Sequence, residues 1–579
     1  MLKGKGISDG IGLGKAVILK KESIKPEKII VKNIEKEKEI FYQAIHTVEQ
    51  ETEELIEKIS GTEKEIMQAY LMILQDPTLV AETIKIIEQE KCNAAYATQT
   101  GFNTIIKMFE EMEDPYMSAR SRDISDMKKK ILLKILGKKE TNLSNLPQNT
   151  ILVTKELTTS DTAKLDLKNV VGIVTETGGI NSHMAIMART HAIPAVVGIK
   201  QVANLIKEND FVAINGETGE IYINPSAEEK AKLEKIKQNS QHEKEQLLNY
   251  KKQTTRTKDG HQVELLANIG GPQDIKIVTE NTAEGVGLFR SEFLYMDSED
   301  FPTEKEQFEA YKKVAEELPN KKIIIRTLDI GGDKDLKYMK LPKEKNPFLG
   351  YRAIRIYLDN ISLFKVQLRA ILAASAYGNL AIMLPMISSV EELRKAKEII
   401  EEVKEELREK QTPFNNKIEI GIMVEIPSAA IMAGELAKEC DFFSIGTNDL
   451  IQYTIAVERG NEKVVNLYTH FHPAVIKLIK SAIDGAHKNN ILCGMCGEAA
   501  GDPLFVPILI GLGLDEFSMN ANKILQTRKL IGELNFEDCK KIANEVSKLT
   551  SSEEIKNRMN KEFKKIWKNY CKIKKVMIL

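Results

Sequence analysis

The pattern of apolar and polar residues changes character along the chain. The first twenty residues alternate glycine with β-forming residues and predict one or two strands. From about Asn33 to Gly137 the apolar residues recur at helical spacing, and in FYQAIHTVEQETEELIEKI they share one face. Strand-like runs then return, from TILVTKEL to GEIYIN. This order predicts an α/β domain with a helical subdomain inserted near its start.

The second half of the chain alternates regularly. From Ser226 to about Lys258 there is almost no apolar run, which predicts a charged helix or linker at a domain boundary. Beyond it come eight short apolar runs, most of them separated by amphipathic helical stretches: VELLAN, GVGLF, KIIIRT, LAIMLPM, IGIMVEI, DFFSIG, ILCGMCG and LDEFSMN. Eight β-runs alternating with helices are typical of a (β/α)₈ TIM barrel. An open doubly wound sheet is the alternative, but eight units favour closure.

We therefore expect four regions. An α/β domain takes residues 1–32 and 141–225, and the helical insertion takes residues 33–140. A helical linker follows at residues 226–258, and the barrel with its closing helices takes residues 259–579.

Composition narrows the class of protein. The chain has 579 residues, 42% hydrophobic and 29% charged, which is ordinary for a globular protein. A net charge of −1 provides no basic field for nucleic acid or a lipid surface. No run approaches the roughly 20 apolar residues of a membrane span, and the first residues lack a signal-peptide core. Six cysteines in so long a chain form no disulfide framework, so we expect a cytoplasmic protein without membrane insertion.

Polar residues cluster where the predicted barrel strands end, which is the face where barrels of this type carry their chemistry. After the strands come Asn268, Arg290, Arg326, Asp329, Glu425, Asn448, Asp449, Cys496 and Glu498, with Arg352 and Arg459 in nearby loops. A single arginine at a strand end is as often a structural ion-pair partner as a substrate-binding residue. Several arginines and two carboxylates at one mouth instead favour a small, phosphorylated, multiply anionic substrate. Glu425 and Asp449, with Asn448 beside them, make an oxygen-rich site suited to Mg²⁺.

Two motifs resemble known cofactor or metal motifs, a C-x-x-C pair and a G-x-G-x-G stretch, but their surroundings favour other roles. Cys493 and Cys496 form a C-x-x-C, but on a strand residues three apart point to opposite faces. We therefore favour Cys496 as a proton donor or acceptor at the mouth over a redox pair or half a zinc site. The stretch GISDGIGLG contains G-x-G-x-G, but no strand precedes it, so it indicates dinucleotide binding only weakly.

His183 lies in GGINSHMAIMART, and the chain has only eight histidines. Gly178 and Gly179 provide a flexible approach, Ser182 a helix cap, and HMAIMAR the first turns of a helix. A helix N-terminus favours an anion, and a neutral histidine is a good nucleophile toward phosphorus. A capping or exposed histidine is the alternative for a lone residue; we interpret His191 as structural.

Seven motifs together carry a resemblance: GGINSHMAIMAR, GLFRSEFLYM, RTLDIGGDK, NPFLGYRAIR, GIMVEIP, GTNDLIQYTIAVERGN and GMCGE. In this order, with the helical insertion, they resemble enzyme I of the bacterial sugar phosphotransferase system, the phosphoenolpyruvate–protein phosphotransferases. The resemblance covers essentially the whole chain. One departure is Asn181 in Asn181-Ser182-His183, where the family commonly has threonine.

The resemblance implies a role for each matching residue. His183 would take the phosphoryl group from phosphoenolpyruvate at Nε2, and Cys496 would donate a proton to the pyruvate enolate. Substrate binding would use Arg290, Arg326, Arg352, Asn448, Asp449 and Arg459, and Mg²⁺ would lie on Glu425 and Asp449. The resemblance makes 1–32 with 141–225 a phosphohistidine domain and the 33–140 insertion the docking site for the carrier protein HPr. It makes the barrel a homodimerisation domain and the linker a candidate hinge.

Two rivals share parts of this pattern. Phosphoenolpyruvate synthase and pyruvate, phosphate dikinase combine a histidine domain with a barrel but need an ATP-binding domain, of which the sequence carries no motif. A regulatory phosphocarrier without turnover would not need Arg326, Glu425, Asp449 and Cys496 together. We therefore expect an enzyme without an ATP site.

Overall fold

The computed structural model of the chain describes most of its residues: 1–19, 26–58, 67–68, 70–72, 74–75, 77–110, 115–137, 143, 146–157, 161–162, 165, 167–178, 183–191, 193–296, 298, 300–332, 336, 338–339, 341–342, 344–459, 461 and 463–566. These residues form two compact units, Met1–His242 and Glu243–Leu579. No described helix has the length and apolar character needed to cross a bilayer.

The first unit contains an eight-stranded mixed sheet. Its strands are β1 (Leu2–Lys3), β2 (Lys5–Ser8), β3 (Ile11–Leu19), β4 (Thr150–Thr154), β5 (Val170–Thr175), β6 (Ala195–Val197), β7 (Phe211–Asn215) and β8 (Glu220–Ile223). They follow the order β1-β8-β7-β3-β4-β5-β6-β2, and β3 pairs in parallel with β4 but antiparallel with β7. Separate apolar clusters are built around Leu152 and Ile173 and around Ile151 and Val174. Neighbouring strand residues alternate between faces, so both faces of the sheet are buried.

A helical region is inserted between β3 and β4, as the periodicity predicts. It consists of α1 (Ile34–Lys58), α2 (Pro77–Glu90), α3 (Ala94–Glu110) and α4 (Pro115–Ile135). Phe41, Val48, Ile87 and Phe102 lie in its own apolar core. Phe41 and Val48, seven residues apart on α1, share one helix face, and the insertion thus buries apolar surface in a core of its own.

Three further helices complete the first unit and lead out of it. These are α5 (His183–Thr190), α6 (Val202–Leu205) and α7 (Ala227–Leu248). The predicted charged linker is largely helix α7, which packs on Ile11 and Ala213 through Leu233. The division between the two units, after His242, falls within this helix. The four-region boundaries given above remain predictions.

The second unit is a closed barrel of eight parallel strands. The strands are β9 (Glu264–Ile269), β10 (Gly285–Arg290), β11 (Ile323–Arg326), β12 (Leu380–Leu384), β13 (Glu419–Val424), β14 (Phe442–Ile445), β15 (Leu492–Met495) and β16 (Glu516–Asn520). Each one coincides with one of the eight apolar runs, and β16 closes on β9. The TIM-barrel prediction is confirmed, and the open sheet is excluded.

Helices surround these strands and bury the outer faces of the barrel. They are α8 (Ile275–Glu280), α9 (Glu292–Met296), α10 (Glu304–Glu317), α11 (Ile354–Asp359), α12 (Ile361–Ala374), α13 (Val390–Glu409), α14 (Pro427–Ile431), α15 (Ala433–Leu436), α16 (Thr447–Ile455), α17 (Pro473–Lys488), α18 (Val506–Leu512), α19 (Ile524–Glu533), α20 (Phe536–Val546) and α21 (Ser552–Ile566). Thr303 and Glu306 form a reciprocal capping box at the start of α10. The predicted closing helices after Gln526 correspond to α19, α20 and α21.

Candidate active site

Two buried arginines form the centre of the barrel mouth. Arg326 ends β11, and Arg352 lies in the loop before α11; their exposed fractions are 6% and 2%. Asp329 joins them, with its Oδ2 atom 2.9 Å from Arg326 Nη1 and its Oδ1 atom 2.8 Å from Arg352 Nη2. A buried guanidinium requires such a partner, because an unpaired charge loses its hydration without compensation. Asp329 therefore fixes the separation of the two arginines.

Each arginine has a second acidic partner. Arg326 Nη2 donates to Glu292, the buried first residue of α9. Arg352 Nη2 is 3.2 Å from Asp449 Oδ2. The resulting chain of ion pairs links α9, β11 and α16 across the carboxyl end of the barrel, so the guanidinium groups are held rigidly.

Glu425 follows β13 and is also buried, with 2% of its surface exposed. Its Oε1 atom accepts a hydrogen bond of 2.7 Å from the backbone N–H of Met386. Burial, together with the negative charges of Asp449 and Asp329, raises the pKa of Glu425 to about 8, although Arg326 and Arg352 oppose the rise. The carboxylate form of Glu425 therefore needs a further positive charge nearby.

The described residues of the mouth contain more buried acid than buried base. Two arginines of the mouth are buried, Arg326 and Arg352. Four acidic residues are buried to a similar degree: Glu292, Asp329, Glu425 and Asp449. Asp449 Oδ1 is buried, accepts no hydrogen bond within the described chain, and has Arg459 Nη1 3.9 Å away. An oxygen in this situation, with a second carboxylate raised in pKa, fits a divalent cation with hard oxygen ligands.

The side chains at the mouth do not provide a complete set of metal ligands by themselves. Among the described residues, no three of His, Cys, Asp and Glu are placed to hold a metal ion. Mg²⁺ commonly takes only one or two carboxylates and completes its octahedron with water and substrate oxygens. Glu425 and Asp449 fit this second kind of site.

Helix α16 places two predicted substrate residues in one turn. Asn448 and Asp449 lie directly after Thr447, which begins the helix behind β14. The hydroxyl group of Tyr468 donates to the backbone carbonyl of Asn448 at 3.0 Å. Arg459 is half-buried beyond the helix, and its backbone N–H donates to Gln452 Oε1 at 3.2 Å. The start of α16 thus places the Asp449 carboxylate at the mouth, next to Asn448 in sequence, and Arg459 Nη1 lies 3.9 Å from Asp449 Oδ1.

Cys496 and Cys493 lie on opposite sides of the barrel wall, as the strand periodicity predicts. Cys493 belongs to the large core between strands and helices, whereas Cys496 lies with Leu288, Met423 and Phe442 in the small cluster inside the barrel. Both thiols are free. Burial raises the pKa of the Cys496 thiol, against the effects of Ser444, Arg326 and Arg290. Cys496 therefore stays protonated near neutral pH and lies near the arginines.

Two of the predicted site residues, Arg290 and His183, are not part of the ion-pair chain. Arg290 ends β10 and is half-buried; its charge acts on Cys496. His183 begins α5 in the first unit, but its side chain, like the residues Gly179–Ser182 with the proposed Ser182 cap, lies outside the described residues. The structure therefore brings Arg326, Arg352, Glu425 and Asp449 together, with Arg459 at their edge.

Two acidic residues were not assigned to the site from the sequence. Glu292 was missed altogether, although an acidic residue inside SEFLYM was a signal that an apolar run carried a buried charge. Asp329 was noted after a strand but given no role. The structure makes both of them partners of Arg326.

Comparison with known proteins agrees with this geometry. Three family models match: residues 244–536 match the PEP-binding domain of PEP-utilising enzymes, residues 146–219 their mobile domain, and residues 3–120 their N-terminal domain. The chain is 46% identical over 558 residues to a phosphoenolpyruvate-protein phosphotransferase of Listeria innocua, covering 96% of this chain and 98% of that one. Proteins of the same name from Bacillus subtilis and Haemophilus influenzae are each 45% identical, covering 97% and 96% of this chain and 100% and 98% of their own.

Proposed function

The chain belongs to the phosphoenolpyruvate-protein phosphotransferase family, and we propose that it transfers the phosphoryl group first to its own His183 and then to a histidine of the carrier HPr. It is a phosphotransferase that uses phosphoenolpyruvate. The transfer is the first step of sugar uptake by the phosphotransferase system. The observation that carries the assignment of the site is the ion-pair chain of Arg326, Asp329, Arg352 and Asp449 at the barrel mouth.

The first transfer needs little covalent help from the protein. Phosphoryl transfer depends mainly on positioning and on neutralising charge. Arg290, Arg326, Arg352 and Arg459, with Asn448, bind the phosphate and carboxylate groups of phosphoenolpyruvate. Nε2 of neutral His183 attacks the phosphorus, the P–N bond forms, and the bond from phosphorus to the enol oxygen breaks. The electron pair of that bond leaves on pyruvate enolate.

A metal ion completes the charge balance of the site. Enzymes of this family use a metal, and our specific proposal is Mg²⁺ held by Glu425 and Asp449. When bound, it supplies Lewis-acid stabilisation of the anionic oxygens. The Asp449 Oδ1 atom, which accepts no hydrogen bond from the described residues, and the raised pKa of Glu425 support this donor pair.

Cys496 provides the proton that the enolate needs. Its thiol is protonated at neutral pH because burial raises its pKa, and the same burial excludes bulk water as a competing donor. Proton transfer from Sγ to the methylene carbon of the enolate yields pyruvate and a thiolate, which Arg326 and Arg290 stabilise. The thiolate regains its proton from solvent when pyruvate leaves.

We assign the second transfer to the helical insertion. HPr docks on the helices around residues 62–75 and 78–90, where acidic and apolar residues alternate. Residues 62–75 are only partly described; the second segment lies in α2. A surface cavity of about 490 Å³ there is lined by Tyr42, Val80, Ile84 and Glu88, among others. The lining combines apolar residues with Lys85 and Glu88, and the apolar part supports docking of a partner protein there.

Movement of the histidine domain connects the two transfers. The family model that matches residues 146–219 describes a mobile domain, and α7 is the hinge that we propose. Beyond it, Arg528 on α19 donates to the carbonyl of Tyr250 at 3.3 Å and to Thr255 Oγ1 at 3.0 Å. Those bonds join residues after Tyr250 to the barrel, which leaves the helix before Tyr250 as the part that can bend. We further propose a homodimer through the barrel and a cytoplasmic location, with no nucleic-acid partner.

Radiolabelled phosphoenolpyruvate without ATP tests this function. The chain should become labelled in Mg²⁺, and purified HPr should then remove the label with its own phosphorylation. Labelling only in the presence of ATP would identify a nucleotide-dependent enzyme instead. Labelling that HPr cannot remove would leave the first transfer and reject the proposed acceptor.

A further inference from the structure

Tyr453 makes the most specific contact with a substrate arginine that no role above explains. It lies on α16, one helical turn after Asp449, and i,i+4 spacing places both residues on one face of the helix. The Tyr453 hydroxyl accepts a hydrogen bond of 3.1 Å from Arg352 Nη1. It donates its own proton to the backbone carbonyl of Phe348 at 2.5 Å. One hydroxyl proton and one lone pair account for both bonds.

These bonds define the orientation of the Arg352 guanidinium from two sides. Nη2 is held by Asp329 and Asp449, and Nη1 by Tyr453. The third nitrogen, Nε, has no hydrogen-bond partner in the described part of the chain. Without the Tyr453 hydroxyl, Nη1 loses the hydrogen bond that fixes the plane of the guanidinium on that side.

A phenol differs from a carboxylate as a partner for this arginine. Asp329 and Asp449 already offset the positive charge of Arg352. A third carboxylate at Nη1 would cancel the attraction for an anionic substrate. Burial raises the pKa of Tyr453 to about 12, so its hydroxyl stays neutral. Tyr453 therefore orients the cation without reducing its charge.

The second bond of Tyr453 stabilises the loop that carries Arg352. Phe348 lies in this loop, and its ring centre is 5.8 Å from the Arg352 guanidinium carbon. Directly after Arg352, Ala353 adopts φ +50°, a conformation that L-residues rarely populate and that persists only when neighbours enforce it. Gly331 faces the Arg352 side chain so closely that a Cβ atom would lie 2.5 Å from Arg352 Cβ. The loop is held in one arrangement, and Tyr453 joins it to α16.

Tyr453 also lines a cavity. It has a volume of about 770 Å³ and is lined by Tyr453, Phe348, Met386, Ile426 and Val457, among others. Its size admits water, which would compete for Arg352 Nη1 once the hydroxyl is removed. Tyr453 thus contacts both Arg352 and the lining of this cavity.

We propose that Tyr453 is a positioning residue for phosphoenolpyruvate, which acts by fixing the Arg352 guanidinium in its substrate-binding orientation. This inference rests on the proposed function of Arg352. It predicts a defined energetic coupling between Tyr453 and Arg352, which a merely structural tyrosine would not show.

A double-mutant cycle on the full-length protein measures this coupling. Tyr453→Phe keeps the ring and removes one hydrogen bond to a charged group, so kcat/KM for phosphoenolpyruvate should fall about tenfold. Arg352→Lys removes the forked donor that Tyr453 orients. Adding Tyr453→Phe to Arg352→Lys should therefore lower kcat/KM by no more than about twofold further. Steady-state pyruvate release with HPr in excess gives kcat and KM, and thermal unfolding shows that each variant is folded.

Tyr338→Phe is the matched control. Tyr338 is half-buried like Tyr453, and its hydroxyl donates to a backbone carbonyl, that of Tyr295, at 2.6 Å. Tyr338→Phe should change kcat/KM by no more than about twofold. Combined with Arg352→Lys, it should show no energetic coupling, so that the two fold-changes in kcat/KM multiply. Equal losses from Tyr453→Phe in both arginine backgrounds would overturn the proposal, as would a lowered melting temperature with unchanged kinetics. Unchanged kinetics in Arg352→Lys alone would instead reject Arg352 as a substrate residue.

Discussion

Replacing Cys496 by alanine should slow pyruvate release by about a hundredfold or more, because a positioned general acid contributes about 10²–10⁴-fold to rate. That range corresponds to about 2.7–5.5 kcal/mol of transition-state stabilisation. The thiol is suited to the role because burial keeps it protonated at neutral pH. In the unsubstituted protein, burial raises the pKa of Cys496 above the ordinary thiol value of about 8.5. Pyruvate release should therefore not slow through loss of this proton as the pH passes that value.

Cys493 provides an internal control, because the two substitutions are chemically identical. Both cysteines are almost wholly buried, with 0% and 3% exposure, and both replacements leave a small cavity. Loss of one sulfur atom from a core is comparable to deleting a methyl group, which destabilises by about 1 kcal/mol. Cys493→Ala and Cys496→Ala should therefore unfold at similar temperatures, while only Cys496→Ala loses catalysis.

The assay follows pyruvate release and phosphorylation of the chain separately. Cys496→Ala should still accept label from phosphoenolpyruvate in a single turnover, because the arginines and His183 are intact, but at steady state pyruvate should accumulate slowly. Equal loss of turnover in both alanine variants would refute the proton-donor role. Reversible switching of activity by oxidant and reductant through both thiols would favour the C-x-x-C redox interpretation instead.

Three further results are expected. His183→Ala should abolish labelling by phosphoenolpyruvate with the fold intact, whereas the exposed His191→Ala should label normally; the opposite pattern would assign the wrong histidine. Glu425→Ala and Asp449→Ala should each remove activity together with its Mg²⁺ dependence, because the excess buried acid is then reduced; full activity of the unsubstituted protein in excess chelator would reject the metal. A fragment of residues 1 to about 250 should fold and exchange phosphate with phospho-HPr, yet stay unlabelled by phosphoenolpyruvate, since it lacks Arg326, Glu425 and Asp449; direct labelling of this fragment would contradict the division of labour.

The fold was predictable because its signals are local. Each barrel strand is a short apolar run such as KIIIRT or DFFSIG, and each lies between helices whose periodicity differs from that of a strand. The helical insertion between β3 and β4 was equally visible, since its 3.6-residue pattern interrupts a region of strands. Closure of the eight strands followed from their number. The division of the chain within α7 was less predictable, because that helix has charged residues on all sides.

The site was predicted as a set of residues but not as a network. Four of its residues could be named because each one follows a predicted strand or belongs to a family motif: Arg326, Arg352, Glu425 and Asp449. Their pairing through Asp329 and Glu292 depends on side-chain directions across several strands, which spacing along the chain does not contain. Tyr453 was hidden for the same reason: in DLIQYTI it reads as an ordinary core residue, and only the fold brings Phe348 and Arg352 to its hydroxyl.

The charge of this network explains why so many arginines are needed. Two buried arginines face four buried carboxylates, so the protein itself makes the centre of the mouth acidic. Such a centre repels a trianionic substrate, so we expect Arg290 and Arg459, together with the cation that we propose on Glu425 and Asp449, to offset the negative charge. The carboxylates are therefore not incidental partners of the arginines. They hold the guanidinium groups rigid, as pre-organised catalysis requires. With the Mg²⁺ that we propose on Glu425 and Asp449, they would also couple binding of the anionic substrate to binding of the metal.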